Sequence, residues 1–404
     1  MEPLVYQERR GTDCVKWDIL GRKYKNPDLL SMWIADMDFR APECVTQALR
    51  AYVDAGIYGY YLQPAECQQS FLDWQKEMHG TEVDASWLRF SPGAVSGLHL
   101  CVSAVTQPGD VIAIMPPVYM AFFSVARQTG RKMVTCPLRK EQGRYEIDFQ
   151  RLEECFAQEK VRMLIHCSPH NPVGRVWTEA EQLRLLELCR RYNVFVLSDE
   201  VHQDLLLDGH RHFPLCGFKD YADMTICVTS PAKTFNLAGC QATTMIIPHE
   251  ETRKKVDAVL EQSGIAKGSS FSYIAYKAAY RGGRDWLDAL LAKIKENETL
   301  FRSLFARSAP QVTIAPLEGT YLLWIDFSEL IPPEEMKTFI ETESGLAVNY
   351  GNEFGGEAYS CLIRLNIATS TENVALAASK LISALRKRGL VDRKEGDDGG
   401  DAGR

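Results

Sequence analysis

Close cysteine pairs, long apolar runs and an excess of positive charge are all missing from this 404-residue chain. Its twelve cysteines, at 14, 44, 67, 101, 136, 155, 167, 189, 216, 227, 240 and 361, form no C-x-x-C. That spacing excludes the common zinc and thioredoxin-type patterns, so no metal site is expected, and a disulfide framework belongs to much shorter chains. The thiols therefore read as buried or half-buried groups in a reducing cytoplasm. No segment approaches the roughly 18 apolar residues of a membrane helix; the best, Val111 to Phe123, is broken by Pro116 and Pro117. The N-terminal MEPLVYQERRGTDCVKWD turns charged before a signal-peptide core can form. With 46 Lys and Arg against 53 Asp and Glu, a net charge of −7 draws the chain to neither nucleic acid nor an anionic membrane. The expectation is a soluble cytoplasmic protein without nucleic-acid or membrane partners. No repeat is visible, and only KEGDDGGDAGR (394–404) is compositionally biased; a disordered tail is expected over 391–404.

What is present is a regular alternation. VIAIM (111–115), VRMLIHC (161–167), VFVLS (194–198), TICVT (225–229) and TTMII (243–247) read as buried strands. Thr178-Glu-Ala-Glu181 is a capping-box start for a helix that places Leu185, Leu186, Cys189 and Tyr192 on one face, so residues 161–198 form a βαβ unit. Strands apolar throughout belong to a parallel sheet covered on both sides. After about residue 285 the pattern shifts to a long helix (Asp285–Arg307), separated strands (Tyr321–Phe327, Leu362–Ile367) and a last helix from about Thr371 to Arg388. The expected fold is α/β, a mostly parallel central sheet with helices on both faces, plus a smaller α+β domain. The chain divides into a large domain at 45–284 and a small one from 1–44 and 285–390.

Ligands of open α/β sheets bind beyond the carboxyl ends of the strands. There the chain carries Ser168-Pro-His-Asn-Pro-Val-Gly174, Asp199-Glu-Val-His202 and Ser230-Pro-Ala-Lys233-Thr-Phe-Asn236, with the small-residue turn Ser-Pro-Gly-Ala-Val-Ser-Gly at 91–97. Singly each is ordinary: Asn171-Pro172 is a turn, Asp199 a helix cap, Lys233 a solvated lysine, His202 a structural histidine, and one glycine-bearing loop is weak evidence for phosphate. Together they put an amide, a carboxylate, an imidazole, an amine and a glycine turn on one sheet edge. A pyridoxal phosphate site needs that set. The aldehyde requires a lysine amine, the ring nitrogen a buried carboxylate, the ring oxygen hydrogen-bond donors, and the phosphate the N–H groups of a helix N-terminus. Tyr119, just past Pro116-Pro117, is placed to stack on the ring.

At these residues the chain resembles fold-type I pyridoxal-phosphate enzymes of the class I/II aminotransferase superfamily. The resemblance runs through ADMDF (35–39), YGYY (58–61), SPGAVSG (91–97), PPVYMAF (116–122), SPHNPVGRVWT (168–178), SDEVHQD (198–204), SPAKTFNLAG (230–239) and LIRLN (362–366). It implies Lys233 as Schiff-base lysine and acid/base, Asp199 facing the ring nitrogen, Asn171 and His202 near the ring oxygen, and Tyr119 stacked. It implies phosphate contacts from Ala94 and Val95 backbone and Ser230, and Tyr60 reaching the cofactor phosphate of a neighbouring subunit in a homodimer. It implies, too, that Arg364 clamps the α-carboxylate of an amino-acid substrate, beside Asn171.

D-E-V-H-x-D, with ADMDF and PAKTFN, is similar to the MalY/PatB group of cystathionine β-lyase-like C–S lyases. The implied activity is cleavage of cystathionine or a related cysteine S-conjugate to thiol, pyruvate and ammonia, with Tyr60 or Tyr119 protonating the leaving sulfur. An aminotransferase shares every early step, and a non-enzymatic regulatory protein on the same scaffold is a third reading, disfavoured because all core residues are present. There are two departures from the family pattern: Gln241 stands where many relatives carry an arginine eight residues after the lysine, and Asn349-Tyr-Gly-Asn-Glu-Phe-Gly355 lacks the proline usual before its first glycine. Trp33 and the aromatics of Ile57–Leu62 are candidates for the thiol pocket, and Cys240 reads as structural.

Overall fold

The central strands are buried along nearly their whole length, which demands cover on both faces. The computed structural model, which describes residues 3–265 and 268–392, shows that cover. Seven strands lie in the order Leu88–Ser91, Thr243–Ile246, Thr225–Thr229, Phe195–Asp199, Val161–Cys167, Val111–Ile114 and Lys132–Thr135. Alternate side chains enter two separate clusters. Met163, Ile165, Leu197, Ile226, Val228 and Met245 pack with Leu98, Val102, Phe122 and Val256, from the helices Ala94–Val105, Ala121–Gln128 and Glu250–Ser263. Leu164, Val196, Cys227 and Ile246 belong to the cluster that holds Trp177, Leu185 and Cys189, the last two from the helix Glu179–Arg191. Thr178 caps that helix, its hydroxyl accepting from the Glu181 amide while the Glu181 carboxylate accepts from the Thr178 amide.

Three features of the sheet depart from the sequence reading. Thr243–Ile246 runs antiparallel to both of its neighbours; continuous burial reports cover on two faces and carries no information on direction. Leu88–Ser91 and Lys132–Thr135 are edge strands that the pattern misses. The first, LRFS, is only half buried and the second, KMVT, is mostly exposed, so neither forms an apolar run.

Beyond the sheet, Thr313–Ile314, Leu322–Asp326, Leu362–Asn366 and Asn349–Tyr350 build an antiparallel four-stranded sheet, flanked by the long helix Arg284–Ser308 and the last helix Thr371–Lys387. The N-terminal segment reaches this part of the chain: Leu30–Ser31 pairs parallel with Leu346–Ala347. Leu390 and Val391 still pack on the core; the rest of the expected tail, 393–404, lies outside the described residues. No helix among the described residues is long and apolar enough to cross a membrane.

The strand order fixes where a ligand can sit. From Val161–Cys167 the chain steps to one side of the sheet, and from Val111–Ile114 to the other. The crevice opens at the carboxyl ends of these two adjacent strands, between the loop bearing Tyr119 and the loop bearing Asn171.

Candidate active site

At that crevice a cavity of about 690 Å³ is lined by Ala94, Val95, Tyr119, Asn171, Asp199, His202, Ser230, Lys233 and Arg364. Nine of the ten predicted site residues are thus together, and Tyr60 stands apart, fully exposed to solvent.

Asp199 ends its strand in register with Cys167 and Val228. It is buried, and the one hydrogen bond its side chain makes among the described residues is from the Val201 amide, at 3.3 Å. Burial pushes its carboxyl up to about 7, against the pull of that amide and of Lys233. A cation facing it restores the ionised form, which is what a protonated ring nitrogen supplies.

Lys233 sits in the turn Pro231–Thr234, which Ser230 caps by accepting the Ala232 amide. Thr234 tethers the turn by donating to Asp204 (2.7 Å), whose other oxygen binds Trp74 Nε1 and His79 Nε2. The Lys233 ammonium donates to Ala35 O at 2.7 Å. Burial lowers its pKa; Asp36 and Asp199 oppose that shift and Arg364 adds to it. The ADMDF motif thereby acquires a physical role. Ala35 receives the lysine, Asp36 pairs with Arg9 at 2.8 Å, and buried Asp38 holds Lys16 and Trp17 at 2.6 and 2.9 Å. Asn236, at φ +57°, clasps the same segment through Met37 and Phe39.

Arg364 presents the complementary imbalance. It is buried, and its guanidinium donates to Asn171 Oδ1 (3.0 Å), Asn349 Oδ1 (2.6 Å) and Trp33 O (3.2 Å), all neutral acceptors. Its Nε is buried with no hydrogen-bond partner among the described residues. Desolvation lowers its pKa to about 10, which leaves it cationic at neutral pH. A carboxylate is the missing counter-charge. Tyr350, where the family pattern has proline, donates its amide to Glu353 at 2.9 Å, a bond that proline cannot make.

The side-chain amide nitrogen of Asn171 has no protein acceptor among the described residues, so it remains a donor toward the cavity. His202 is neutral: burial, with Lys233 and Arg364 nearby, holds its pKa well below the usual histidine value, and its Nδ1 is buried with no partner among the described residues. Tyr119 follows a loop fixed by Val118 N to Phe354 O (2.9 Å) and His170 Nε2 to Pro117 O (2.9 Å). Burial and Asp199 raise its phenol pKa, so it is a proton donor at neutral pH. Gly93, at φ +136°, turns the chain into the helix Ala94–Val105, whose N-terminus has no side-chain cap, so the first-turn amides are left for a ligand. Ser230 already donates to Ala242 O, so its hydroxyl is left with accepting capacity only.

Sequence reasoning missed two further groups. Thr243 lines the cavity, and its buried hydroxyl has no partner among the described residues; nothing in TTMII distinguishes it from Thr244, which bonds Tyr276 OH at 2.7 Å. Residues 9–15 and Lys23 also line the cavity in part, through Arg9, Thr12, Asp13, Cys14 and Val15. No motif marks them, because the N-terminal segment is brought there by tertiary pairing.

An amine, a buried carboxylate lacking a cation, a buried cation lacking an anion and an uncapped helix N-terminus fit pyridoxal phosphate carrying an amino acid. Comparison with known proteins agrees. Residues 28–381 match the model for aminotransferase class I and II. Cystathionine beta-lyase PatB of Bacillus subtilis is 37% identical over 94% of this chain and 98% of its own. Cystalysin from Treponema denticola, solved with pyridoxal 5'-phosphate, superposes with a TM-score of 0.91 at 29% identity, covering 95% and 98% of the two chains. The PLP-bound C–S lyase from Staphylococcus hominis gives 0.88 at 29%, covering 94% and 97%.

Proposed function

The chain belongs to the class I and II aminotransferase family, and on that premise we propose that it is a pyridoxal-phosphate-dependent carbon–sulfur β-lyase. Its substrate is L-cystathionine or a related cysteine S-conjugate, which it cleaves with one water to a thiol, pyruvate and ammonia. One observation carries the reading: Asp199 without a cation and Arg364 without an anion share a cavity with a lysine of lowered pKa. Buried His202 in D-E-V-H-x-D and the similarity to the PatB lyase favour elimination over amino transfer.

Lys233 would hold the cofactor covalently, Asp199 would serve its ring nitrogen, Asn171 and His202 its ring oxygen, and Tyr119 its ring face. Ala94 and Val95 amides, with Thr243, would hold its phosphate. Bound pyridoxal phosphate supplies an aldehyde for the substrate amine and a cationic ring that draws electrons from Cα, which lets a thiolate leave Cβ. The chain does the rest. Arg364 fixes the α-carboxylate through its unpartnered Nε, and its bond to Asn171 ties carboxylate binding to ring-oxygen binding. Lys233, its amine pKa lowered by burial, takes the Cα proton. Tyr119, its phenol kept protonated, gives a proton to the departing sulfur. The exposed Ile57–Leu62 segment packs on a second copy of the chain, where Tyr60 reaches that copy's phosphate site.

The test is a product assay on cofactor-loaded protein with L-cystathionine and no added 2-oxo acid. Pyruvate, ammonia and thiol released in equal amounts are expected. No pyruvate, with the cofactor converted to an amine form that a 2-oxo acid reverses, makes the protein an aminotransferase.

A further inference from the structure

Four cations line the cavity: Arg9, Lys23, Lys233 and Arg364. Three have assigned partners or tasks. Arg9 is neutralised by Asp36, Lys233 carries the chemistry, and Arg364 awaits the α-carboxylate. Lys23 has neither. Among the described residues it makes no ion pair and its ammonium has no hydrogen-bond acceptor, although Asp13 lines the same cavity.

Its position is nevertheless built. The ammonium lies 3.8 Å from the centroid of the Trp33 indole and 5.2 Å from that of Tyr24. Each ring is locked from behind: Trp33 Nε1 donates to Lys16 O at 2.9 Å, and Tyr24 OH donates to Val348 O at 2.7 Å. The two rings meet edge to face at 6.1 Å. Aromatic faces hold a cation without neutralising it. Trp33 also couples the two cationic ends of the cavity, because its carbonyl accepts from Arg364 at 3.2 Å. Glu353, the carboxylate acting most strongly on Lys23, is itself occupied by Asn349 Nδ2 (3.0 Å) and the Tyr350 amide (2.9 Å).

We propose that Lys23, held on the Trp33–Tyr24 corner, binds a second carboxylate of the substrate, selecting cysteine conjugates whose leaving thiol is itself an acid. The inference rests on the β-lyase reading and deepens it. Arg364 takes the carboxylate at the reacting end, and Lys23 takes the one on the thiol portion, as in cystathionine and unlike S-methyl-cysteine. Lys23 touches no reacting atom, so it acts in binding and not in bond cleavage.

Two measurements test it on cofactor-loaded protein. Lys23→Met retains the alkyl stem on the rings and removes the charge; Lys23→Arg keeps the charge. The ratio of kcat/KM for L-cystathionine over S-methyl-L-cysteine should fall about tenfold or more in Lys23→Met, mostly through KM, and be largely regained in Lys23→Arg. Calorimetric titration with α,ω-dicarboxylates of increasing length should show one length that binds better than its monocarboxylate, with that advantage lost in Lys23→Met. A ratio within about twofold of wild type, or a dicarboxylate advantage indifferent to Lys23, overturns the assignment. If wild type releases no pyruvate from either sulfur substrate, the lyase reading fails, and the titration alone still decides Lys23.

Discussion

The strand-end cluster and the Ile57–Leu62 segment both carry predicted site residues, and they differ in what holds them. Lys233, Asp199 and Arg364 each have hydrogen-bond partners in the same chain, while His202 Nδ1, Thr243 Oγ1 and Arg364 Nε, on residues that line the cavity, have none among the described residues. The other segment has no such frame. Ile57 and Leu62 are 77% and 79% exposed, and Tyr60 is fully so; Tyr58 at least rests on Tyr52 and Phe271. Apolar side chains left in water along a run of residues are what the proposed packing on a second copy would cover. One region is complete in electrostatics except for its ligand, and the other is complete in neither packing nor ligand. A buried charge without its counter-charge is costly, so the first region should respond to charge removal and the second to a change of surface.

The sharpest break comes at Lys233. Lys233→Ala should abolish pyruvate release from L-cystathionine, a loss of at least about 10³-fold, because Lys233 is the cavity amine whose charge acts on Asp199. Retained lyase activity with an unaltered cofactor spectrum would remove the central assignment.

Asp199→Asn separates function from stability. An acid whose folded pKa is raised, here from 3.8 to about 7, costs the fold nothing below pH 4 and its full penalty above pH 7. Cofactor-free Asp199→Asn should therefore be more stable than cofactor-free wild type at pH 8, by up to about 4 kcal/mol. The gap should close as the pH falls toward 4. Turnover of the loaded enzyme should move the other way, down about 10³-fold, since the ring nitrogen loses its counter-charge. Thermal unfolding across pH 4 to 8, together with pyruvate release, reads both.

The exposed segment should answer to different changes. Ile57→Asp puts a charge on the apolar run and should shift sedimentation to the monomer at micromolar protein. Tyr60→Phe should leave the oligomer intact and weaken pyridoxal phosphate binding about tenfold. A protein that is monomeric before any substitution breaks the comparison, because the segment would then need another explanation.

What the sequence reveals follows the same division. The five inner strands of the seven-stranded sheet, the Thr178 cap and the helices at 284–308 and 371–387 are legible because burial and capping are local and periodic. Asp199, Lys233 and Asn171 are legible because each lies within four residues of the end of an apolar run, where the sheet delivers it to one edge. Strand direction at Thr243–Ile246 is not, since it depends on a long-range partner, Leu88–Ser91, with no apolar signature. Nor is the arrival of Lys23 and Arg9 at the cavity. The pairing of Leu30–Ser31 with Leu346–Ala347 spans more than three hundred residues, and no window of sequence contains both halves.

The smallest expected effect falls on Thr243, and it discriminates two neighbours in one strand. Its hydroxyl is buried, unpartnered and in the cavity, near Gln241, which replaces the family arginine. An unpaired buried hydroxyl penalises the cofactor-free fold by about 1–3 kcal/mol and becomes useful only when an acceptor arrives. Thr243→Val, close in shape, should accordingly raise the unfolding temperature of cofactor-free protein while weakening pyridoxal phosphate affinity a fewfold. Thr244→Val provides the contrast. It removes a satisfied bond to Tyr276 OH, so stability should fall with cofactor affinity unmoved. Cofactor titration and thermal unfolding of the pair decide the matter: if Thr243→Val destabilises the cofactor-free protein as Thr244→Val does, its hydroxyl has an internal partner and the phosphate rests on the helix N-terminus alone.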